Sequence, residues 1–413
     1  MTPSPQPVGP ASTEVRPDDI IAARAALKPV IRQTPLLESS ALSELAGGPV
    51  YLKCENLQRG GSFKVRGAYL RIARLSAAER ARGVVAASAG NHAQGVALAA
   101  AALGTKATVV MPATAPLPKI AATRSYGAEV VLHGAALEEA LALARQLAEE
   151  TGSTFIHPFD HLDVITGQGT IGLEIAEQCS DARTIALPVG GGGLAAGVAV
   201  AASAALPGIR LIGVQADAVA PMPASIAAGH PVSVIPATTM ADGIAVARPG
   251  DLTVPLLASL GMQVVTVTEE NLSRGLLLCL ERAKQVVEPA GAAAVAALLE
   301  HPAAFEPPVV IVLSGGNIDP LLLSKVLRHG LSAAGRYLAF RCKLPDRPGA
   351  LATLLVELAA LGANVLDVVH ERVTADLRVD EVEVNLHLET RGPEHCDSVI
   401  TQLRKAGYTL LFT

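Results

Sequence analysis

The sequence predicts an α/β protein in which a large, two-subdomain parallel-sheet domain precedes a small α+β domain. Between about residues 50 and 320, short β-rich runs such as TIALPV at 184–189 alternate with longer Ala/Leu-rich segments of helical character. Unbroken apolar strands are typical of parallel sheets, whose central strands are buried on both faces. The chain has 413 residues, 50% hydrophobic and 17% charged, which indicates a globular protein of two or three domains.

Eight apolar runs are candidate strands, namely 50–53, 84–87, 107–111, 129–132, 184–189, 210–214, 263–267 and 309–313. Their number fits two parallel sheets. Residues 135–150 carry apolar side chains at helical spacing, which predicts a surface helix. Residues 184–209 carry no charge, but the apolar run Leu194 to Leu206 is shorter than the roughly 20 helical residues that cross a bilayer, so we expect a buried helix there.

The character of the sequence changes near residue 330, where RHGLSAAGRYLAF forms a weak linker. Beyond it the charge density rises, and EVEVNLHLE at 381–389 alternates in the manner of a half-exposed strand. The predicted order of elements in 337–413 is β, α, β, β, α, β, which indicates a separate α+β domain. Residues 1–14 are expected to form a disordered tail.

The composition excludes several classes of function. The net charge is -5 and aromatic residues make up 3%, so neither the basic surface nor the stacking platform of a nucleic-acid-binding protein is expected. The five cysteines lack metal-ligand spacing, which indicates reduced, buried thiols and no metal site. The N-terminus lacks a secretory signal, so we expect a cytoplasmic protein with no membrane partner.

Four segments carry the candidate functional residues. The first, GGSFKVRGA at 60–68, places Lys64 in a glycine-flanked stretch where the backbone can approach a ligand closely. Such a lysine is either a solvated surface amine or a partly desolvated amine that forms a Schiff base with a carbonyl, and its position alone leaves both open.

The second segment, SAGNHAQG at 88–95, follows a predicted strand and opens a helix, where N–H groups bind an anion such as a carboxylate or simply form a helix cap. The third is the tetraglycine Gly190–Gly193 with Leu194, which follows the strand 184–189. Four consecutive glycines cost backbone entropy, and a nest of N–H groups around a phosphate accounts for them. Neither a dinucleotide fingerprint nor a Walker loop is present.

The fourth segment, LSGGN at 313–317, brings Ser314 to the end of a strand, at the sheet edge where open α/β proteins bind ligands; a plain tight turn is the alternative. Together the four segments offer a site for a phosphate, an amine for a carbonyl and polar groups for a ring. Pyridoxal 5'-phosphate is the cofactor that meets all three requirements.

In this order and at about this spacing, GSFKVRGA, SAGNHAQG, PVGGGGL and LSGGN resemble the motifs of the threonine dehydratase (threonine ammonia-lyase) family, over roughly residues 15–325. That family belongs to the fold type II pyridoxal-phosphate enzymes, with serine racemase and the tryptophan synthase β subunit. The resemblance implies a catalytic domain at 15–328, in which a small subdomain at about 52–154 is inserted into a large one. It also implies conversion of L-threonine to 2-oxobutanoate and ammonia, and of L-serine to pyruvate.

The resemblance implies a role for each matched residue. Lys64 would form the Schiff base, with Phe63 against the cofactor ring, Asn91 at the ring hydroxyl and Ser314 at the ring nitrogen. The phosphate would be held by Gly190, Gly191, Gly192, Gly193 and Leu194. The substrate carboxylate would be bound by Ser88, Ala89, Gly90, Asn91 and His92. Segments 242–245 and 288–291 also resemble family segments near the cofactor, without an assigned role.

Four positions refine this expectation. The freed Lys64 amine is expected to act as general base at the substrate α-carbon, with elimination of the β-hydroxyl to follow. A neutral Ser314 does not enforce a protonated ring nitrogen, so we hypothesise that transamination is disfavoured. Ala89 stands where resemblance to serine racemase would suggest a second serine, which favours dehydration over racemisation. Gln215 replaces an acid that some relatives use near a cation, so no metal is expected there.

The C-terminal domain, 337–413, resembles an ACT domain through LPDRPGAL at 344–351 and GANV at 362–365. The resemblance implies an amino-acid effector such as isoleucine or valine, bound by Asp346, Pro348, Gly349, Ala350 and, across a paired domain, Asn364. A domain that only supports oligomerisation is the alternative. Because ACT domains usually pair, a homotetramer or homodimer is expected.

Three other functions stay open from the sequence. Two are enzymes: a serine racemase and a hydroxyaspartate dehydratase-type lyase. The third is an amino-acid sensor that retains the fold without catalysis. The presence of Lys64, Asn91, Gly190–Gly193 and Ser314 weighs against a sensor, since a binding protein has no need of the amine.

Overall fold

The computed structural model describes residues 14–372 and 377–412. The predicted tail at 1–14 therefore lies outside the described residues, except for Glu14. The chain divides between Leu323 and Ser324 into two compact units. All five cysteines are free thiols, and only Cys396 is not fully buried, which corrects the expectation of five buried thiols. Among the described residues, no helix combines the length and apolar character needed to cross a membrane.

The strands, in chain order, are β1 (Leu36–Glu38), β2 (Val50–Lys53), β3 (Val84–Ala87), β4 (Ala107–Met111), β5 (Glu129–Leu132), β6 (Thr154–Phe155), β7 (Thr184–Pro188), β8 (Arg210–Ala216), β9 (Gln263–Val267), β10 (Val309–Val312), β11 (Tyr337–Pro345), β12 (Asn364–Glu371), β13 (Glu381–Glu389) and β14 (Leu410–Leu411). The helices are α1 (Pro17–Leu27), α2 (Ser40–Ala46), α3 (Lys64–Ala73), α4 (Ala77–Arg82), α5 (Asn91–Ala102), α6 (Leu117–Ser125), α7 (Leu137–Thr151), α8 (Leu162–Gln178), α9 (Gly193–Ala205), α10 (Met222–Ala228), α11 (Thr253–Ser259), α12 (Glu269–Glu281), α13 (Pro289–Glu300), α14 (Pro320–Ala333), α15 (Ala350–Ala360) and α16 (Pro393–Lys405).

The larger unit contains a six-stranded sheet in the order β1-β2-β10-β7-β8-β9. Every neighbouring pair is parallel except β1 with β2. The central strand β10 is buried along its whole length, as expected for a parallel strand with neighbours on both edges. The sequence did not predict β1, because a three-residue edge strand is too short to show a period.

A second, four-stranded parallel sheet has the order β5-β4-β3-β6. Its core is filled by valines of the strands and by the inner faces of α3 and α5, including Val65, Val96 and Val109. The two-residue strand β6 is too short to predict, and the strands of the two sheets other than β1 and β6 lie where the sequence predicted them. The parallel α/β prediction is therefore confirmed.

The apolar run Leu194 to Leu206 within the uncharged segment lies almost wholly in the buried helix α9, as predicted. All residues of α9 from Gly193 to Ala202 are buried, and the helix packs closely against α8. A Cβ atom on Gly197 would lie 2.2 Å from the Ile165 carbonyl oxygen, so only glycine allows this approach. The close packing fixes the N-terminus of α9 at the end of β7.

From Tyr337 onward, the smaller unit has the predicted order β, α, β, β, α, β. Its four strands form an antiparallel sheet in the order β12-β13-β11-β14. Burial alternates along β11, and Phe340 and Cys342 join Leu386 from β13 in a core that α15 and α16 complete with Leu354 and Val399. One face of the sheet is thus covered by the two helices.

Candidate active site

A cavity of about 320 Å³ in the larger unit brings the predicted site residues together. It lies at the carboxyl ends of β3, β7 and β10, where open parallel sheets bind ligands. Its lining includes Phe63, Lys64, Ser88, Ala89, Gly90, Asn91, His92, Gly190, Gly191, Gly192, Gly193, Leu194 and Ser314. Every residue predicted to act in catalysis, cofactor binding or substrate binding thus lines one cavity, although the role of each stays a prediction.

Lys64 is the first residue of α3, and its amine faces this cavity. Lys64 Nζ donates a hydrogen bond to the Pro158 carbonyl oxygen at 2.9 Å, and it lies 5.2 Å from the centre of the Phe63 ring. Burial lowers the pKa of Lys64 from 10.5 to about 8, against the opposing charge of Glu288. A lysine with this pKa is substantially neutral at mildly alkaline pH, as a nucleophile or base must be.

The segment after β3 presents backbone N–H groups at the N-terminus of α5. Gly90 N donates to Ser88 Oγ at 3.1 Å, which shapes the turn before the helix. The buried His92 ring donates from Nε2 to the Ile156 carbonyl oxygen at 2.9 Å. Burial and the Lys64 charge lower the pKa of His92 to about 3, so the ring is neutral. Any contribution of His92 to binding an anion must therefore come from its backbone.

Asn91 is held in one orientation by two side chains. Asn317 Nδ2 donates to Asn91 Oδ1 at 2.8 Å, and Asn91 Nδ2 donates to Glu288 Oε1 at 2.5 Å. Burial, with the nearby Asp242 charge, raises the pKa of Glu288 to about 7. Asn317 and Glu288 lie within motifs that the sequence analysis identified, but no role was predicted for either residue. In the structure, both hold the side-chain amide of Asn91 in place.

The tetraglycine is a loop whose walls leave no room for side chains. A Cβ on Gly191 would lie 2.4 Å from the Phe159 ring, and one on Gly193 would lie 2.7 Å from the Phe159 carbonyl oxygen. Gly192 has φ of +100°, in the left-handed region that favours glycine. The loop leads into α9, whose first N–H groups have no partner within the helix. Such a loop suits a phosphate.

Two features of the cavity escaped the sequence analysis. Pro158 and Phe159, in the loop between β6 and α8, contact the Lys64 amine and the glycine loop. Lys119 pairs with Asp242 at 2.8 Å at the lining of the same cavity. With six Phe and five Tyr in the chain, the scarcity of aromatic residues marks Phe159 only as one member of a small set.

Both ends of the Gln215 amide are occupied by backbone groups. Gln215 Nε2 donates to the Val189 carbonyl oxygen at 3.1 Å, and Gln215 Oε1 accepts from Met222 N at 2.9 Å. The side chain thus ties β8 to the residue after β7 and to the start of α10. Within the described ranges, no group of three or more His, Cys, Asp or Glu side chains is arranged to hold a metal ion.

A buried ionic network lies on α3 beside the cavity. Arg66 donates to both Glu55 oxygens at 2.8 and 2.9 Å, and to Glu174 at 2.7 and 3.1 Å. Lys53 Nζ also donates to Glu174, at 2.6 Å. Two cations and two anions balance in a site that has almost no contact with water. Sequence reasoning missed this network, because Glu174, which pairs with both cations, lies more than 100 residues away from them in the chain.

The smaller unit has a cavity of its own, of about 350 Å³, on the loop between β11 and α15. Asp346, Pro348, Gly349 and Ala350 line it, together with Arg347, Leu351, His370 and Arg372. Asn364 does not line this cavity within the chain, and its Nδ2 donates to Glu389 at 3.1 Å. Four of the five predicted effector residues are thus neighbours, while the fifth would have to come from another copy.

Comparison with known proteins places this geometry in a family. Residues 27–315 match the family of pyridoxal-phosphate dependent enzymes. An L-threonine ammonia-lyase from Thermotoga maritima is 48% identical over 391 residues, which cover 95% of this chain and 98% of that protein. The processed form of threonine deaminase isoform 2 from Solanum lycopersicum is 39% identical, with a TM-score of 0.74 over 78% of this chain and 90% of that one. Maize serine racemase is 34% identical, with a TM-score of 0.72 over 77% of this chain and 98% of that one.

The cavity also fits the cofactor on its own geometry. It has the size of a small-molecule site, and the glycine loop has room for an anion where side chains would clash. The amine with a lowered pKa lies in the same cavity as this loop. Given the match over residues 27–315 and this fit, the chain belongs to the pyridoxal-phosphate dependent enzymes, with the fold type II architecture.

Proposed function

We propose that the chain is a threonine ammonia-lyase that converts L-threonine to 2-oxobutanoate and ammonia, and L-serine to pyruvate. The observation that carries this proposal is the 48% identity to an L-threonine ammonia-lyase over 95% of the chain. The geometry of the cavity supports it, because the amine, the glycine loop and the helix N-terminus needed for the reaction all line one space.

The residues that would hold the cofactor follow from the cavity. Lys64 would bind its carbonyl carbon, and the N–H groups of Gly190–Gly193 and Leu194 would bind its phosphate. Phe63 and Ser314 would contact the ring, and Asn91 would donate to its hydroxyl. When bound, pyridoxal phosphate supplies an electron sink for the substrate α-carbon.

Lys64 is the proposed catalytic base. An amine with a pKa of about 8 accepts a proton from the substrate α-carbon more readily at neutral pH than an ordinary lysine, which stays protonated there. The Pro158 carbonyl oxygen, 2.9 Å from Nζ, holds the free amine within the cavity. The substrate β-hydroxyl leaves as water, so that one proton and the hydroxyl are lost from the substrate and an enamine remains. A water molecule then converts the enamine to the oxo acid and ammonia.

The substrate carboxylate would bind at the start of α5, to the backbone of Ser88–His92. The helix N-terminus offers N–H donors and a partial positive charge to the carboxylate. The His92 ring is not expected to bind the carboxylate, because the ring is neutral and its Nε2 already donates to the Ile156 carbonyl oxygen. Ala89 puts a methyl group where a racemase would need a proton donor. A serine racemase or hydroxyaspartate dehydratase-type activity is therefore the less favoured alternative, as is a sensor without catalysis.

The smaller unit is proposed to be an ACT regulatory domain, at 337–413, that binds an amino acid such as isoleucine or valine. The cavity beside Gly349 and Ala350 lies at the N-terminus of α15, where N–H groups suit the effector carboxylate, and Asp346 suits its amine. Asn364 would act from a paired copy, so a homodimer or homotetramer is proposed. The proposed location is the cytoplasm. The catalytic domain is proposed to span 15–328.

The test of the reaction is product formation by the wild type and by Lys64→Ala. We expect 2-oxobutanoate from L-threonine, pyruvate from L-serine, no D-serine, and a change in rate when isoleucine is added. Lys64→Ala should abolish turnover. The control is Lys106→Ala, which removes a lysine whose side chain is 74% exposed and should leave the rate unchanged.

The outcomes separate the alternatives. Formation of D-serine in excess of pyruvate would favour the racemase. A protein that holds the cofactor, shown by absorbance near the visible edge, but turns over neither substrate would leave the family placement intact and refute the reaction. An unchanged rate with isoleucine and valine would leave the smaller unit with a role in assembly only.

A further inference from the structure

The glycine loop is hydrogen-bonded to a turn at residues 250–253, which does not line the cavity. Two donors meet at the Gly191 carbonyl oxygen: Thr253 Oγ1 at 2.7 Å and Gly250 N at 3.1 Å. Thr253 is fully buried, and it lies at the start of α11. Its hydroxyl also lies 3.3 Å from the Gly250 carbonyl oxygen, so the shorter contact to Gly191 is the favoured use of its single proton.

The turn at 250–253 is itself fixed by Asp160. The Asp160 carboxylate accepts from Asp251 N through Oδ2 and from Leu252 N through Oδ1, both at 2.9 Å. A Cβ on Gly250 would lie 2.3 Å from Asp160 Oδ1, so the turn has little freedom to move. Asp160 follows Pro158 and Phe159 in the loop that touches the Lys64 amine and the glycine loop.

The two bonds to Gly191 set the direction of the next N–H group. In a trans peptide, the carbonyl of one residue and the N–H of the following residue point in opposite directions. Because the Gly191 carbonyl points to the turn at 250–253, the Gly192 N–H points away from it. Gly192 lines the cavity and has φ of +100°. Rotation of the peptide between Gly191 and Gly192 would therefore turn the Gly192 N–H group away from its present direction, and the loop would lose one of its donors.

We propose that Thr253 is a positioning residue that aims the Gly192 N–H at the cofactor phosphate by holding the Gly191 carbonyl. This inference rests on the proposed role of the glycine loop. Thr253 acts without touching the cofactor or the substrate. Removal of its hydroxyl leaves Gly250 N, at 3.1 Å, as the remaining donor to the buried Gly191 carbonyl, so the peptide is held less firmly in this orientation.

The test uses the full-length holoenzyme with Thr253→Val, which removes the hydroxyl and keeps the shape, and Thr253→Ser, which keeps the hydroxyl. The apparent dissociation constant of pyridoxal phosphate is measured by equilibrium dialysis, and the environment of the bound phosphate by its phosphorus-31 NMR shift. We expect Thr253→Val to weaken retention by about fivefold to tenfold, the effect of one hydrogen bond, and to shift the phosphorus line. Thr253→Ser should stay close to the wild type in both.

Thr184→Val is the matched control. Thr184 is also fully buried and donates to a backbone carbonyl, that of Glu306 at 2.9 Å, but it lies at the opposite end of β7 from the glycine loop. The control should lower thermal stability at least as much as Thr253→Val, because Thr184 Oγ1 also accepts from Glu306 N at 3.1 Å. It should leave cofactor retention and the phosphorus shift unchanged.

The results distinguish this inference from the proposed function. If Thr253→Val retains the cofactor as well as the wild type, or if Thr253→Ser loses as much as Thr253→Val, the positioning role is wrong. Equal losses in Thr253→Val and Thr184→Val would also overturn it, since retention would then follow stability. Cofactor retention is measured without substrate, so a wild type that ignores threonine would refute the reaction and leave this measurement valid.

Discussion

Replacing Lys64 by methionine is expected to stabilise the cofactor-free protein near neutral pH. Burial lowers the pKa of Lys64 from 10.5 to about 8, so folding penalises the charged amine at pH 7. This difference corresponds to a penalty of at most about 3 kcal/mol, because Lys64 is only partly buried and solvent screens part of its charge. Methionine fills a similar volume without a charge, but it loses the hydrogen bond to Pro158, worth about 1 kcal/mol. The net gain at pH 7 is about 2 kcal/mol.

The stability difference between Lys64→Met and the wild type is expected to decrease as the pH rises. The penalty is fully present below the folded pKa of about 8 and disappears as the pH rises towards the unfolded value of 10.5. At about pH 10 the remaining penalty, about 1 kcal/mol, is offset by the lost hydrogen bond. Lys64→Met should therefore be more stable than the wild type at pH 7 and of equal stability at about pH 10.

Urea unfolding followed by far-ultraviolet circular dichroism measures the effect, since the chain has no tryptophan to report by fluorescence. The change should appear in the midpoint, with the denaturant dependence unchanged. Lys106→Met, at a side chain that is 74% exposed, should change stability by less than about 0.5 kcal/mol at either pH. A Lys64→Met gain that is absent at pH 7, or the same at both pH values, would refute a penalty from burying the amine.

Three further predictions concern the surroundings of Lys64. Glu174→Gln should lower the free energy of unfolding by about 3 kcal/mol, because it leaves buried cations without their partner; the urea midpoint reports it. Gly191→Ala should abolish cofactor retention after dialysis, since its Cβ would lie 2.4 Å from the Phe159 ring, whereas Gly48→Ala, whose Cβ would lie 2.6 Å from Pro307 and outside the cavity lining, should retain the cofactor. Burial raises the pKa of Glu288 from 4.5 to about 7, so the wild type loses stability as the pH rises through this range. Glu288→Gln should be up to about 3 kcal/mol more stable than the wild type above pH 7 and of equal stability near pH 4.5, and pH-dependent thermal unfolding of both proteins checks this.

The sequence predicted the parts of the fold whose pattern is local. A parallel strand such as β10 is buried on both faces, so its apolar run is visible without any knowledge of its neighbours. The glycine loop is equally visible, because four glycines in succession are rare and costly. The carboxyl ends of parallel strands meet at one edge of a sheet, which is why segments far apart in sequence were expected at one site.

The sequence could not predict contacts between side chains that are far apart in the chain and that only the fold brings together. Arg66 stands two residues after Lys64 in the same motif, yet its role rests on Glu55 and Glu174, which no local pattern connects to it. Thr253 likewise begins a seven-residue helix with no distinctive sequence, and only the fold brings its hydroxyl to the Gly191 carbonyl. Such contacts leave no periodic pattern and no unusual composition in the sequence from which they could be predicted.

The helix α3 separates two electrostatic environments that the site needs. Residues two apart on a helix lie about 200° apart around its axis, so Lys64 and Arg66 point to nearly opposite sides. On one side, Arg66 is held by four carboxylate oxygens in a balanced, buried network that anchors the helix. On the other side, the Lys64 amine donates to the Pro158 carbonyl oxygen and has a lowered pKa. Because the network fixes α3, the amine keeps its position although no ion pair of Lys64 forms among the described residues, and its lowered pKa suits the proposed role of Lys64 as a base.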